Sequence, residues 1–365
     1  MRYIFLLILV LLVIAGVSIF LPDKSNNIQT PDHKETMRVR VVATNLEVPW
    51  ALAFLPASPA GGPDGQMLVT ERPGRVRIVS NGNVSEPIAE IRVHAVSEGG
   101  LHGIAVDPDF NSNNFVYLYY TYADTGNNTL NRVVRYIFEN NNLREDKIIV
   151  DRIPGAPNHN GGRIKFGPDG FLYITTGDAQ EPTLSQDRNS LAGKILRVTR
   201  NGDPAPNNPF GTLVYSYGHR NSQGIAWDNH ARLWATEHGR SPGGLDELNI
   251  IERSKNYGWP IIQGDETQGG MEAPIINSGS DTWAPAGAAF INGSIFFAGL
   301  RGQALYEYKI NEQRLIEHFK NQYGRLRDVV LGPDNMLYVT TSNRDGRGNP
   351  QAGDDKILLI NPAGR

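Results

Sequence analysis

Asn158-His159-Asn160-Gly161-Gly162-Arg163 sets a histidine in a glycine-rich turn just ahead of the strand-like run Ile164-Lys165-Phe166. An imidazole titrates near neutrality, so His159 is suited to accept a proton. A histidine in such a turn can equally be a hydrogen-bonded turn residue. The paired glycines allow another group to come close to the backbone. Gly218-His219-Arg220-Asn221 and Arg325-Leu326-Arg327-Asp328 stand just ahead of further strand-like runs, and Arg301 follows another. Arg325 and Arg327 are two residues apart and project to one side of a strand. Guanidinium groups gathered at one place repel one another unless an anion lies between them, and they hold carboxylates or phosphates bidentately. Taken singly, each arginine could be a surface residue paired with an acid. Glu237-His238-Gly239, Asp246-Glu247-Leu248-Asn249 and Asn256-Tyr257-Gly258-Trp259-Pro260 offer carboxylates and loop carbonyls, the oxygen ligands calcium prefers, without EF-hand spacing. No Walker loop or H-E-x-x-H motif is present.

These groups need a scaffold, and the chain carries a repeat that supplies one. Phe166-Gly167-Pro168-Asp169-Gly170-Phe171-Leu172-Tyr173-Ile174-Thr175-Thr176 is a tight turn followed by an alternating β-branched and aromatic strand. Leu331 to Ser342 nearly repeats it, and Ala105 to Tyr122 does so with a longer turn. Weaker copies surround Met67, Leu233 and Ile295, which makes six, anchored at Met67, Val116, Leu172, Leu233, Ile295 and Leu337 at intervals of about 40 to 60 residues. A second strand-like run follows each copy. Six uneven repeats of this size predict an all-β, six-bladed propeller with four-stranded blades and loop insertions on one face. A β-sandwich of similar hairpins is the competing architecture. Arg38 to Ala43 is strand-like with no repeat of its own, and it is expected to close the last blade beside the C-terminal strand.

A propeller of this size takes nearly the whole chain of 365 residues, so residues 38–365 read as one domain. Its 39 glycines suit a turn-rich β protein, and the net charge of −3 gives no reason to expect nucleic acid as a partner. The absence of cysteine excludes disulfides, thiolate metal sites and cysteine nucleophiles. Tyr3 to Leu21 is an unbroken apolar run of 19 residues, close to the ~20 that span a bilayer. Residues 1–21 are therefore expected to be a membrane anchor or a signal segment, with the anchor favoured on length, and either role exports the propeller. Residues 22–37 read as a polar linker.

The motifs Val48-Pro49-Trp50-Ala51, Gly100-Leu101-His102-Gly103, His159-Asn160-Gly161-Gly162-Arg163, Gly218-His219-Arg220-Asn221, Asp246-Glu247-Leu248-Asn249, Asn256-Tyr257-Gly258-Trp259-Pro260 and Arg325-Leu326-Arg327-Asp328 occur in this order. The set resembles the soluble pyrroloquinoline-quinone (PQQ) dependent glucose and aldose sugar dehydrogenases from about Val41 to the C-terminus. The resemblance implies a six-bladed propeller that oxidises the C1 hydroxyl of an aldose to a lactone, with hydride passing to PQQ and electrons leaving to a quinone or other redox carrier. By resemblance His159 is the base and Arg220 stabilises the charge that develops on the quinone oxygen. Glu98, Arg220, Asn221, Arg301, Arg325 and Arg327 would then line the cofactor. Carbonyls of Gly239 and Arg240 stand where the family holds a calcium ion on the quinone, and Glu247 and Tyr257 where it holds a second, structural calcium. Trp283 is the candidate for stacking on the sugar. Two positions depart from the family pattern. Glu98 replaces a glutamine, and a carboxylate facing a polyanion needs calcium or an arginine to neutralise it. Asn158 replaces the glucose enzyme's aspartate beside the histidine, which leaves the source of the base's strength open. The shorter loops resemble those of the broad-specificity aldose enzymes. A propeller of the same lineage that binds carbohydrate or a protein partner without redox chemistry is the alternative, because fold alone does not decide function.

Overall fold

The computed structural model describes residues 28–29, 37–56, 65–240 and 243–363. Tyr3 to Leu21, the expected anchor or signal, lies outside the described residues. Among the described residues, no helix is long and apolar enough to cross a membrane.

Six antiparallel sheets follow one another along the chain. Blade one runs from Pro49–Phe54 at its inner edge through Met67–Glu71 and Arg75–Ser80 to Asn83–Val84. Blade two is Leu101–Val106, Phe115–Ala123, Thr129–Glu139 and Asn142–Pro154, and blade three Ile164–Phe166, Leu172–Thr175, Lys194–Val198 and Val214–Tyr217. Blade four is Ser222–Trp227, Leu233–Glu237, Glu247–Ile251 and Ile276–Asn277, and blade five Pro285–Ile291, Ser294–Gly299, Ala304–Lys309 and Arg314–His318. Blade six is Leu326–Leu331, Leu337–Thr341, Ile357–Ile360 and Val39–Ala43. The protein is the six-bladed propeller the repeat predicts, and each anchor residue lies in the second strand of its blade. The N-terminal strand closes the ring, with Val39 opposite Ile360 and Val41 opposite Leu358. Within the segment expected to be a linker, Ile28–Gln29 pairs parallel with Leu315 and Ile316 at the outer edge of blade five.

The second strands are apolar on both faces because each face meets a neighbouring blade. On Phe115–Ala123, Val116, Leu118 and Tyr120 pack toward blade one while Tyr117 and Tyr119 pack toward blade three. Alternation therefore reads here as two buried faces rather than one. Six hydrophobic clusters fill the seams between adjacent blades, the last joining Ala43 and Ile357 of blade six to Leu52 and Met67 of blade one.

The inner strands surround a channel that side chains close. Arg163 of blade three reaches Asp328 of blade six at 3.0 Å, both fully buried. Its Nε donates to Gln223 O of blade four at 2.9 Å, and its guanidinium lies 4.5 Å from the ring centre of Trp50 in blade one. Asp328 also accepts from Leu52 N–H at 2.9 Å. The Lys165 ammonium donates to Ala288 O of blade five at 2.8 Å, and burial lowers its pKa to about 8. A polar plug thus ties blades one, three, four, five and six at the axis.

Candidate functional site

In an antiparallel blade the start of the first strand and the end of the second emerge on the same face. His159, Arg220 and Arg325 precede first strands, whereas Asp178, Gly239, Arg301 and Asp345 follow second strands. The fold therefore gathers them around the mouth of a cavity of about 400 Å³. Its lining includes Glu98, His159, Arg220, Asn221, Gly239, Arg240, Arg301, Arg325 and Arg327. Most of the expected site residues converge here.

His159 sits at the left-handed φ of 61°, a strained setting for a residue with a side chain. Gly161, at φ 62°, lets the turn lie on Thr176, and Gly162 faces the His102 ring; a Cβ at either position would come within 2.7 Å of those groups. The glycines thus serve approach by neighbouring protein groups. His159 Nδ1 meets Asp178 Oδ1 at 2.8 Å, the carboxylate being 1% exposed and the imidazole 19%. An anionic acceptor at Nδ1 fixes the proton there and leaves Nε2 with its lone pair. The carboxylate beside the imidazole thus enters from another loop, at Asp178, rather than from position 158. Asp178 is itself held by Gln180 N–H at Oδ1 (2.8 Å) and Trp259 Nε1–H at Oδ2 (2.9 Å). Its own N–H donates to Arg220 O at 2.7 Å, so base and arginine share one support. The loop behind Asp178 is pinned by the buried Lys194 ammonium, which donates to the carbonyls of Leu184, Ser185 and Ala192.

Arg220 lies 5.3 Å from the Trp259 ring centre, and its buried Nε has no hydrogen-bond partner among the described residues. Burial lowers its pKa, against the attraction of Asp178 and Glu237. Asn221 N–H donates to Glu237 Oε1 at 2.5 Å, and its side-chain oxygen accepts from Gly161 N–H at 3.0 Å, joining the arginine segment to the histidine turn. Glu237 Oε2 meets His219 Nδ1 at 3.0 Å. Arg325 pairs with Asp345 at 2.8 Å, and Arg327 donates to Gln223 Oε1 at 2.6 Å. Burial, with repulsion from Arg325 and Arg72, pushes the pKa of Arg327 down to about 9, and its Nε is another buried donor without a partner. Orphaned guanidinium donors and mutually repelling cations on one wall fit a multiply charged anion. Arg301 lies at the cavity's exposed rim.

Glu98 faces the same cavity. Burial disfavours its charge, yet the bond and attraction of Arg347, with His238 and the His159 N–H, hold its pKa down to about 2. The neutralising arginine that Glu98 requires is thus Arg347. Asp246 lines the cavity too, clamping Gly239 N–H at 2.8 Å with one oxygen and Trp283 N–H (2.6 Å) and Ala284 N–H (2.8 Å) with the other.

The Trp283 expectation fails. That ring is 1% exposed and packs against Phe297 and Tyr306 in the seam between blades four and five. Its neighbours Thr282 and Ala284 line the cavity, and local alternation turns the indole away from it.

For calcium, the described residues include no group of three or more His, Cys, Asp or Glu side chains that could hold a metal. The Tyr257 hydroxyl donates to Ile250 O at 2.7 Å and its ring stacks on His219, so that side chain is not turned to a cation. Glu247 accepts from Gly264 N–H and Asn249 Nδ2, both at 3.0 Å, and burial pushes its pKa up to about 7. The neighbouring Asn249 Oδ1 and Gln263 Oε1 are buried oxygens without a partner. A buried carboxylate beside two orphaned amide oxygens fits a hard cation.

Fold and site together define a six-bladed propeller with a guanidinium-lined cavity beside a histidine–carboxylate pair. The chain belongs to the glucose/sorbosone dehydrogenase family, whose model matches residues 46–358. It is 32% identical to an aldose sugar dehydrogenase of Escherichia coli over 85% of this chain and 91% of that protein. It is 30% identical to quinoprotein glucose dehydrogenase B of Acinetobacter calcoaceticus over 65% of this chain and 55% of that protein. Among solved structures, the PQQ-bound form of the aldose sugar dehydrogenase of Streptomyces coelicolor superposes with a TM-score of 0.82 at 40% identity, covering 91% of this chain and 99% of that one.

Proposed function

We propose that this chain is a PQQ-dependent aldose dehydrogenase that converts the C1 hydroxyl of aldoses to the lactone and passes electrons to an external quinone or redox carrier. The observation that carries the reading is the His159–Asp178 pair opening onto a cavity lined by unpartnered guanidinium donors. When bound, PQQ supplies an electron-accepting ortho-quinone and three carboxylates. His159 Nε2 takes the proton of the C1 hydroxyl, and Asp178 stabilises the imidazolium that results. Arg220 would stabilise the negative charge that develops on the quinone oxygen. Arg301, Arg325, Arg327 and Asn221 would hold the cofactor's carboxylates and ring. The carbonyls of Gly239 and Arg240 would hold a calcium ion at the cavity, and Glu247, with Asn249 and Gln263, a structural one. The apolar run Tyr3 to Leu21 supports export and attachment to a membrane through the N-terminal segment alone.

The test adds PQQ and calcium to purified apoprotein and follows dye reduction with a panel of aldoses. Sugar-dependent reduction is expected. No reduction with any aldose, together with an unchanged cofactor spectrum, overturns the proposal.

A further inference from the structure

Arg347, on the loop after the second strand of blade six, crosses the cavity mouth to the base's side. Its Nη1 pairs with Glu98 Oε1 and its Nη2 donates to Asn158 Oδ1 at 3.1 Å, with the guanidinium side chain 52% exposed. Its backbone N–H is fixed on Asp345 Oδ1 at 2.9 Å. Arg325 and Arg327 are held by Asp345 and Gln223. Glu98 Oε2 takes the His159 N–H at 3.3 Å, and Asn158 Oδ1 also accepts from Ser97 Oγ at 2.9 Å.

The hydrogen-bond inventory around the base follows. With its amide oxygen doubly used, Asn158 has its two Nδ2–H donors left; Arg347 keeps three of its five N–H donors, and the Glu98 carboxylate keeps spare lone pairs. This rim offers donors and acceptors side by side, and Glu98 and Arg347 cancel in charge. Ring hydroxyls each donate and accept, so such a rim matches a neutral pyranose. A sugar carboxylate would find no uncompensated cation among Glu98, Asn158 and Arg347.

We propose that Arg347, held by Glu98, is a substrate-selecting residue that makes this mouth hydroxyl-specific and favours neutral aldoses over uronic acids. The inference rests on the proposed function. It gives Arg347 a role toward the sugar rather than toward the cofactor.

The experiment compares wild-type protein with R347A, R347K and E98Q. PQQ affinity is titrated by quenching of tryptophan fluorescence, and steady-state kinetics are run with glucose and glucuronate. Sugar binding to the apoprotein is read separately by saturation-transfer NMR. R347A is expected to bind PQQ within about threefold of wild type while its KM for glucose rises about tenfold, the effect of one charged hydrogen bond. R347K, which keeps the charge without the planar fork, should fall between them. E98Q frees the guanidinium, and the ratio of glucuronate to glucose binding should rise about tenfold in both the NMR and the kinetic measurement. An unchanged ratio in E98Q, or an unchanged KM in R347A, overturns the proposal. A loss of PQQ affinity beyond tenfold in R347A also overturns it, by making Arg347 a cofactor anchor. If wild-type protein binds no PQQ, the functional reading fails, and the NMR comparison still decides for or against Arg347.

Discussion

Asp178→Asn is the sharpest perturbation the site allows. In wild type, Oδ1 accepts from His159 Nδ1–H and Gln180 N–H, and Oδ2 accepts from Trp259 Nε1–H. An amide cannot accept at both ends. With its oxygen toward His159, its NH2 faces the indole donor, and two donors meet in a buried place at a cost of roughly 1–3 kcal/mol. Flipped, it satisfies Trp259 but meets Gln180 N–H with a donor and forces the imidazole into the tautomer whose Nε2 carries the proton. Either state also loses the anion that stabilises the imidazolium. For charge centres about 4 Å apart, that attraction is about 4 kcal/mol at an effective dielectric of 20. Allowing for relaxation, the charge loss should cost roughly 3–4 kcal/mol, or about 10²- to 10³-fold in kcat, with PQQ affinity retained. Steady-state dye reduction at saturating sugar, beside a fluorescence titration of PQQ, measures both. Adding Trp259→Phe removes the opposing donor and should restore geometry without charge, recovering only part of the loss. A single variant within about threefold of wild-type kcat would refute Asp178 as the source of the base's strength.

Four further outcomes follow from the same geometry. His159→Ala should retain PQQ, seen by its absorbance, and lose turnover by at least ~10²-fold, because the acceptor of the C1 proton is gone. Asp328→Ala strands the buried Arg163 charge and should lower unfolding stability by about 3 to 5 kcal/mol in urea titration. Calcium added after EDTA treatment should raise the Tm of wild type and do little for Glu247→Gln, by differential scanning fluorimetry. Glu98, whose folded pKa of about 2 lies below its ordinary value of 4.5, contributes stability that is fully present above pH 4.5 and fades as pH falls through 2. The difference in unfolding free energy between wild type and E98Q should therefore shrink over that window.

The architecture was legible because each second strand carries its own signature: Leu172–Thr175 and Leu337–Thr341 follow Pro-Asp turns and are apolar on both faces. Ring closure was legible because Arg38 to Ala43 lacked a repeat. His159, Arg220 and Arg325 were visible through their shared place ahead of first strands, and Arg327 through its two-residue spacing from Arg325. Asp178 was not, although it follows a second strand and so reaches the same face; that topological rule was the available signal, and Glu237, read from the sequence as a calcium-type carboxylate, holds Asn221 and His219 instead. Arg347 gave no signal, since its partners Glu98 and Asn158 precede the first strands of blades two and three, far from it in sequence. Trp283 misled because the local alternation that exposes Thr282 and Ala284 to the cavity turns the indole into a seam. Asn158 misdirected attention for a different reason: the charge it lacks enters from a loop rather than from the neighbouring residue.

The closing strand has a consequence for biogenesis. Val39 pairs with Ile360, about 320 residues later, so the strand Val39–Ala43 waits for Ile357–Ile360 before the ring is complete. Until then blades one and six expose the faces of their shared seam, with Leu52, Met67 and Ile357 uncovered. Contacts this distant in sequence form late, and the open arc is the species most prone to aggregate or to capture a strand from another molecule. Any cut that removes residues 38–43 would leave that arc permanently open, and protein trimmed that far should accumulate as soluble oligomers or not at all.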